Sequence, residues 1–446
     1  MPLDAPPRPS PIDLDEYRRR RRRLIDALPT DAAVLLPGAS LVIRSRDSEF
    51  PFRQDSDFHY LTGFPEPDAL LVLLPGRAEG ECVLFCQDRD PAMETWTGRR
   101  LGAEGAVRVH GVDQAFENAE RDAHLLELLE GRVTLYLPLG DASALRLAER
   151  LRGELLTRPC QAVQPPLLAF ADVTPMLHEQ RLVKSDAELA LLRHAGEISA
   201  HAHCRAMRAC RPGLAEYQLQ AELEHEFRWR GGSGPAYASI VAGGRNAGIL
   251  HYIDNREPLC DGDLVLIDAG AEFDLYAGDI TRTFPVNGRF SPAQRALYEV
   301  VLEAQERAIA AVRPGTTLKA LHRGVVRDLA AGLVALDILG DDGEETPESI
   351  VARRFYPHGT SHWLGLDVHD VGDYRQDGEP RCLTPGMVIT IEPGLYMPDD
   401  EDLPAAFRGI GIRIEDDVAV TAEGCEVLTR AAPKQVADIE ALLDEK

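Results

Sequence analysis

The stretch VLIDAGAEFDLYAGDITRTF, residues 265–284, constrains this chain more than any other. It opens as an apolar, strand-like run ending at Asp268, turns, and returns with Asp279 beside Thr281 and Thr283. Two carboxylates eleven residues apart therefore sit in apolar or β-branched surroundings. A carboxylate is costly to bury unless something positive pairs with it. No lysine occurs between residues 185 and 317, and strand alternation points Arg282 to the opposite face from Thr281 and Thr283. A bound cation is the sharper expectation for what neutralises the two acids.

Further candidate ligands follow in the second half. Glu392 ends an apolar run in VITIEPG (388–394), and Glu415 lies within GIRIEDDVAVT (411–421). Taken singly, each acid has a bland reading as a turn cap or ion-pair partner; four in such settings are harder to explain that way. PHGTSHWLGLDVHD (357–370) adds His358, His362 and His369 within twelve residues, with Gly359 and Gly365 allowing close backbone approach. A single histidine there could be an ordinary packed ring. The cluster favours a metal site or an acid–base relay. H-E-x-x-H is absent, so a single-zinc peptidase helix is not encoded. One imidazole with four carboxylates suits hard or borderline divalent ions. Two bridged ions balance the charge better than one and would share an activated hydroxide, which points to hydrolysis.

A length of 446 residues suggests two or three domains. The formal charge of −25 argues against generic nucleic-acid or anionic-membrane binding. The one dense basic run, Arg18–Arg23, reads as the solvated side of an N-terminal helix, with a membrane or nuclear patch as the alternative. No apolar window is long enough to span a bilayer. The N-terminus lacks the pattern of a secretory signal. The eight cysteines form no C-x-x-C pair. A cytoplasmic protein is expected.

In chain order, a Pro-rich arm (1–11) precedes a helix over 13–28. Strand-like runs at 32–38, 69–76, 81–86 and 131–137 alternate with helical patterns at 117–129 and 141–154. These imply an α/β domain over 1–170, with a proline-bearing linker at 163–175. The domain over 171–446 contains an echo. A long helical pattern (176–209) ends at Arg-Pro-Gly (211–213) before a shorter helix (214–228). The same order recurs at 291–311, Arg-Pro-Gly (313–315) and 316–333. The two Pro-Gly pairs are offset by 102 residues, and strands ending in an acid recur with them. Two similar halves meeting at their acids are expected. Ser185 with Glu188 has capping-box spacing for the first long helix.

These motifs resemble the pita-bread metallopeptidases, which include methionine aminopeptidase, prolidase and aminopeptidase P. The matching pieces are HYIDNREPLCDGDLVLIDAGAEFDLYAGDITRTFPVNGRF (251–290), HGTSHWLGLDVHD (358–370), GMVITIEPGLY (386–396) and GIRIEDD (411–417). The resemblance implies an α/β N-terminal domain, ribonuclease-H/creatinase N-terminal-like, followed by a pseudo-twofold α+β pita-bread catalytic domain. It implies Asp268, Asp279, His362, Glu392 and Glu415 as ligands of two divalent ions, manganese first, with zinc or cobalt as alternatives. Asp279 and Glu415 would bridge the ions, and Glu392 would also move the proton. His251 would bond the substrate near the scissile carbonyl or leaving group, and His369 would stabilise the tetrahedral intermediate or orient the peptide. His358 would floor the proline site, Tyr396 would line the pocket, and Arg413 would support the ligand carboxylates. Methionine aminopeptidase lacks the N-terminal domain, and creatinase lacks the ligand set. FRQDSDFHYLTGFPEPDALLVL (52–73) and MLHEQRLVKSDAELALLRHAGEISAHAH (176–203) resemble the aminopeptidase P form. The implied activity is hydrolysis of the bond between an N-terminal residue and a following proline, with Xaa-Pro dipeptide cleavage (prolidase) as the alternative. A homodimer or homotetramer is implied, and Trp96 would either reach a neighbouring subunit's site or be a plain surface aromatic.

Overall fold

The structure, a computed structural model, describes residues 8–157, 167–340 and 345–445. Most of the Pro-rich arm, Cys160 and the first residues of the expected linker lie outside these. The chain divides into two compact units, residues 11–181 and a second from Leu182 onward that takes in the described residues before Pro11.

The first unit is built on a six-stranded mixed sheet. Its strands, in spatial order, are Gln114–Glu117, Cys82–Cys86, Leu70–Leu73, Ala32–Pro37, Thr134–Leu137 and Ala169–Asp172. The central strands AAVLL and LLVL are apolar at every position and buried throughout. That is the pattern of a sheet covered on both faces. Ala32–Pro37 pairs antiparallel with Leu70–Leu73 and parallel with Thr134–Leu137. Asp13 caps the helix Leu14–Asp26, accepting from the Glu16 N–H at 2.7 Å.

Two expectations here need correction. Residues 169–172 are not linker but the edge strand, pairing parallel with Thr134–Leu137. The basic run is not wholly solvated, because Arg20 and Arg21 are buried. Arg20 donates to Tyr60 O at 3.0 Å and lies 4.2 Å from the Tyr60 ring centroid, while Arg21 donates to Leu61 O at 2.8 Å and Gly111 O at 2.9 Å. The guanidinium suits this place because its fixed fork satisfies several carbonyls at once. The polar, aromatic segment 50–64 contains a helix, Ser56–Thr62, capped by Asp55 and closed by left-handed Gly63.

The second unit repeats itself. The helix Asp186–Ala209 begins with a full capping box between Ser185 and Glu188. Pro292–Ala311 begins with one between Ser291 and Gln294. Each long helix packs on the shorter one that follows, Glu216–Trp229 and Leu318–Ala335. In the two Arg-Pro-Gly turns, Gly213 and Gly315 have φ of 89° and 88°. Their N–H groups donate to Leu259 O and Leu383 O, each at 2.9 Å. Each half then contributes a three-stranded sheet. The first is Ile240–Gly243, Leu264–Asp268 and Thr281–Pro285, and the second is Val388–Ile391, Asp416–Val420 and Cys425–Val427. Among the described residues no helix is long and apolar enough to cross a membrane, and the seven described cysteines are free.

Candidate metal centre

Asp268 ends the strand Leu264–Asp268 and pairs in register with Thr281 on the returning strand. Between them a short ribbon folds out, with Ala271–Phe273 antiparallel to Tyr276–Ala277. Its tip residues Asp274 and Leu275 have φ of 47° and 69°, the mirror-type turn that suits a two-residue hairpin. At its mouth the Ala269 N–H donates to Ile280 O at 3.1 Å. A Cβ on Gly270 would fall 1.7 Å from Gly278 O, so only glycine permits this crossing. The ribbon thus turns an eleven-residue separation into adjacency. The Tyr237 hydroxyl sits 2.5 Å from Asp268 Oδ1 and 2.6 Å from Asp279 Oδ1.

The second half brings its residues to the same place. His362 is held by backbone bonds to Thr390, one from its N–H to Thr390 Oγ1 and one from the Thr390 N–H to its carbonyl, both 3.1 Å. Its Nδ1 lies 2.9 Å from Trp363 O; donation there leaves Nε2 with a lone pair facing the acids. Nε2 is 3.3 Å from Asp279 Oδ2 and 3.6 Å from Glu392 Oε1. Thr281 donates to Glu415 Oε2 at 2.7 Å. Ligand atoms of Asp279, His362 and Glu415 all lie within 4.8 Å of one another.

Arginine 413 corrects the argument from missing lysine. Its guanidinium donates to Asp268 Oδ2 at 2.7 Å, to Thr281 Oγ1 at 3.1 Å and to the Tyr396 hydroxyl at 2.8 Å. Arg413 is thus a permanent cation serving the acids, and one against four leaves a deficit that His362, raised to about 9, meets only in part. Burial raises the Asp268 carboxyl despite Arg413, and burial with the charges of Asp279, Glu392 and Asp268 pushes Glu415 far up. Burial lifts Glu392 to about 7. Burial alone would lower His362, yet the Asp279 hydrogen bond and the charges of Asp279 and Glu392 raise it to about 9. The Tyr237 hydroxyl has one proton for two carboxylate contacts. A donor set of crowded carboxylate oxygens with one imidazole lone pair, short of positive charge, fits a divalent cation.

A cavity of about 690 Å³ opens onto these groups, lined by Asp268, Asp279, His362, Glu392, Arg413 and Glu415 together with His251, His358 and His369. His251 and His369 are exposed at its mouth, and the His369 ring sits 4.3 Å from that of His362. His358 Nε2 lies 2.8 Å from the Tyr396 hydroxyl. Tyr396 does not line the cavity; it is buried behind it, bridging His358 and Arg413. Trp96 lies in the first unit on the helix Pro91–Thr97 with 85% of its surface exposed. Tyr237 was missed. It lies in a Gly-rich stretch, RGGSGPAYASIVAGGRNAG (230–248), whose sequence marks no chemistry, and only the fold carries it to the acids.

An acid and histidine cluster set between two like halves is the architecture of the pita-bread metallopeptidases. The family model for metallopeptidase family M24 matches residues 190–422, and the model for the aminopeptidase P N-terminal domain matches residues 17–136. The chain belongs to metallopeptidase family M24. It is 47% identical over 443 residues to the Xaa-Pro aminopeptidase of Escherichia coli, covering 97% of this chain and 98% of that protein. It is 37% identical to the human Xaa-Pro aminopeptidase 3, covering 96% and 86%. Among solved structures, the Pseudomonas aeruginosa aminopeptidase PepP superposes with a TM-score of 0.94 at 50% identity, covering 97% of this chain and 98% of that one.

Proposed function

We propose that this chain is a metal-dependent aminopeptidase that hydrolyses the bond between an N-terminal residue and a following proline. The observation that carries the reading is the convergence, in one cavity, of the Asp279–His362–Glu415 donor set with Asp268, Glu392 and three histidines. The fold and length are shared with relatives named for that activity.

Asp268, Asp279, His362, Glu392 and Glu415 would hold two divalent ions, manganese being the first choice for so oxygen-rich a set. When bound, such ions supply Lewis-acid polarisation of a carbonyl and an activated water. The chain's own residues do the rest. The excess of acid attracts the amino terminus of a peptide into the cavity. His358 meets the proline ring, which has no amide N–H to offer and whose φ is fixed. His251 and His369, at the mouth, bond the peptide on either side of the scissile carbonyl. Glu392 takes a proton and carries it to the proline nitrogen, because an amide anion is a very poor leaving group. Arg413 fixes Asp268 directly and Glu415 through the Thr281 hydroxyl. Oligomerisation through the first unit would narrow access to short peptides, with Trp96 as the exposed aromatic available to a neighbouring copy.

Incubation with Arg-Pro-Pro and with Gly-Pro, each with added manganese, tests the reading. Release of arginine from the tripeptide, with little action on Gly-Pro, is expected. Selective cleavage of the dipeptide would make the enzyme a prolidase instead.

A further inference from the structure

Lys184 has no place in the chemistry above, yet its side chain is among the most enclosed charges in the second unit. Its Nζ lies 2.8 Å from Asp370 Oδ2, and both side chains are 1% exposed. A lysine is almost never fully buried unless it is paired, so this contact needs a reason. The Lys184 N–H donates to Gly386 O at 2.9 Å, which ties it to the start of the sheet strand Val388–Ile391. The loop 363–372 wraps round the ammonium. A Cβ on Gly365 would meet Asp370 Oδ2 at 2.2 Å and Lys184 Cε at 2.9 Å. Trp363 Nε1 donates to Gly372 O at 3.2 Å across the loop's ends.

His362 directly precedes this loop and His369 lies within it, and the two are held differently. His362 is knitted to Thr390, and the next-but-one N–H, from Leu364, donates to Val388 O at 3.0 Å. His369 lies in a segment without strand. Its neighbour Asp370 places it, donating its N–H to Trp363 O at 2.9 Å and offering its carboxylate to Lys184. Movement of Asp370 would displace His369 and leave His362 tied to the strand Val388–Ile391.

We infer that Lys184 is a positioning residue for His369, acting through Asp370. This rests on the aminopeptidase reading, in which His369 touches the peptide. A double-mutant cycle on Arg-Pro-Pro hydrolysis tests it, with metal content measured on every variant. Lys184→Met is expected to lower kcat/KM by about 10–100-fold, as loss of an orienting partner does, while metal content matches the parent. In a His369→Ala background the same change is expected to add nothing beyond about twofold. Losses that multiply, loss of metal in Lys184→Met, or a His369→Ala variant with parental activity would each overturn the inference. If Lys184→Met does not fold, the cycle is run with Asp370→Asn, which keeps the side-chain volume and removes the charge. Failure of the parent protein to cleave Arg-Pro-Pro would defeat the aminopeptidase reading itself, a separate result.

Discussion

Glu415 and Asp416 are neighbours in sequence, both buried, and electrostatically opposite. Asp416 accepts from Arg282 at 2.8 Å, Lys434 at 2.7 Å, Gln305 at 2.8 Å and Thr429 at 2.7 Å. Burial alone would raise its carboxyl, but Arg282 and Lys434 override that and hold it well below the ordinary range. Glu415 faces the other way, towards Asp279, Glu392 and Asp268, and is pushed far up. Glu415 sits just before the strand Asp416–Val420, and the turn from one residue to the next deals one acid to a site the protein neutralises itself and the other to a site it leaves short of positive charge. The strand Thr281–Pro285 repeats the division. Arg282 goes to Asp416, while the Thr281 hydroxyl serves Glu415 and that of Thr283 donates to Arg413 O. Burial of an acid does not mark a metal site; burial with too few cations does.

Four substitutions or conditions would break or sharpen this contrast. On the undersupplied side, Glu392→Gln should leave folding largely intact and, in metal-replete protein, cut turnover by about 10²–10⁴-fold, the scale of a lost acid–base group. Parental turnover in metal-replete protein would remove the role given to Glu392. Asp279→Asn should weaken metal binding by at least about 100-fold, more than an outlying partner would, and activity with it; elemental analysis finding parental metal content would refute its place as a ligand. On the satisfied side, Asp416→Asn should act on stability. Stripping a buried guanidinium of its carboxylate costs about 3–5 kcal/mol, which is roughly 10 °C in Tm for a unit of this size. Metal content at low temperature should be kept, and its loss there would blur the two sites into one.

The smallest effect is in pH. Glu392, lifted by burial from its ordinary value of 4.5 to about 7, holds a proton in the folded, metal-free protein where the unfolded chain has released it. Stability from this group is therefore present below about 4.5 and lost as pH rises through about 7. Metal binding keeps the carboxylate ionised and removes that loss. The Tm difference between metal-loaded and chelated protein should widen over this window, by about 2–4 °C per kcal/mol. A difference that narrows as pH rises would put the excess charge elsewhere.

Much of the site was legible because its chemistry sits in unusual residues at strand ends. Asp268, Asp279, Glu392, Glu415 and the His358–His369 cluster announce themselves against apolar runs, and the repeated Arg-Pro-Gly turns announce the two halves. Other features were hidden by ordinary context. Tyr237 lies 31 residues before Asp268 among glycines, and reaches it only because Ala236 donates to Gly270 O at 2.9 Å. Arg413 was named only through the resemblance, because its place beside Asp268 comes with the pairing of Gly394–Tyr396 with Gly411–Arg413, which no local pattern reports. The strand Ala169–Asp172 was masked by the prolines before it. Arg20 and Arg21 look like surface charge until the carbonyls of Tyr60, Leu61 and Gly111 are in place around them.

The ribbon between Asp268 and Asp279 has a consequence for engineering. Its mouth is fixed by Gly270 against Gly278, and its tip is an exposed two-residue turn at Asp274. Chain length enters only at the tip, so the ribbon can be lengthened by pairs of residues without altering the spacing of the two acids. A single methyl group at position 270 would pry them apart. The point of least tolerance and a natural insertion site are thus four residues from each other.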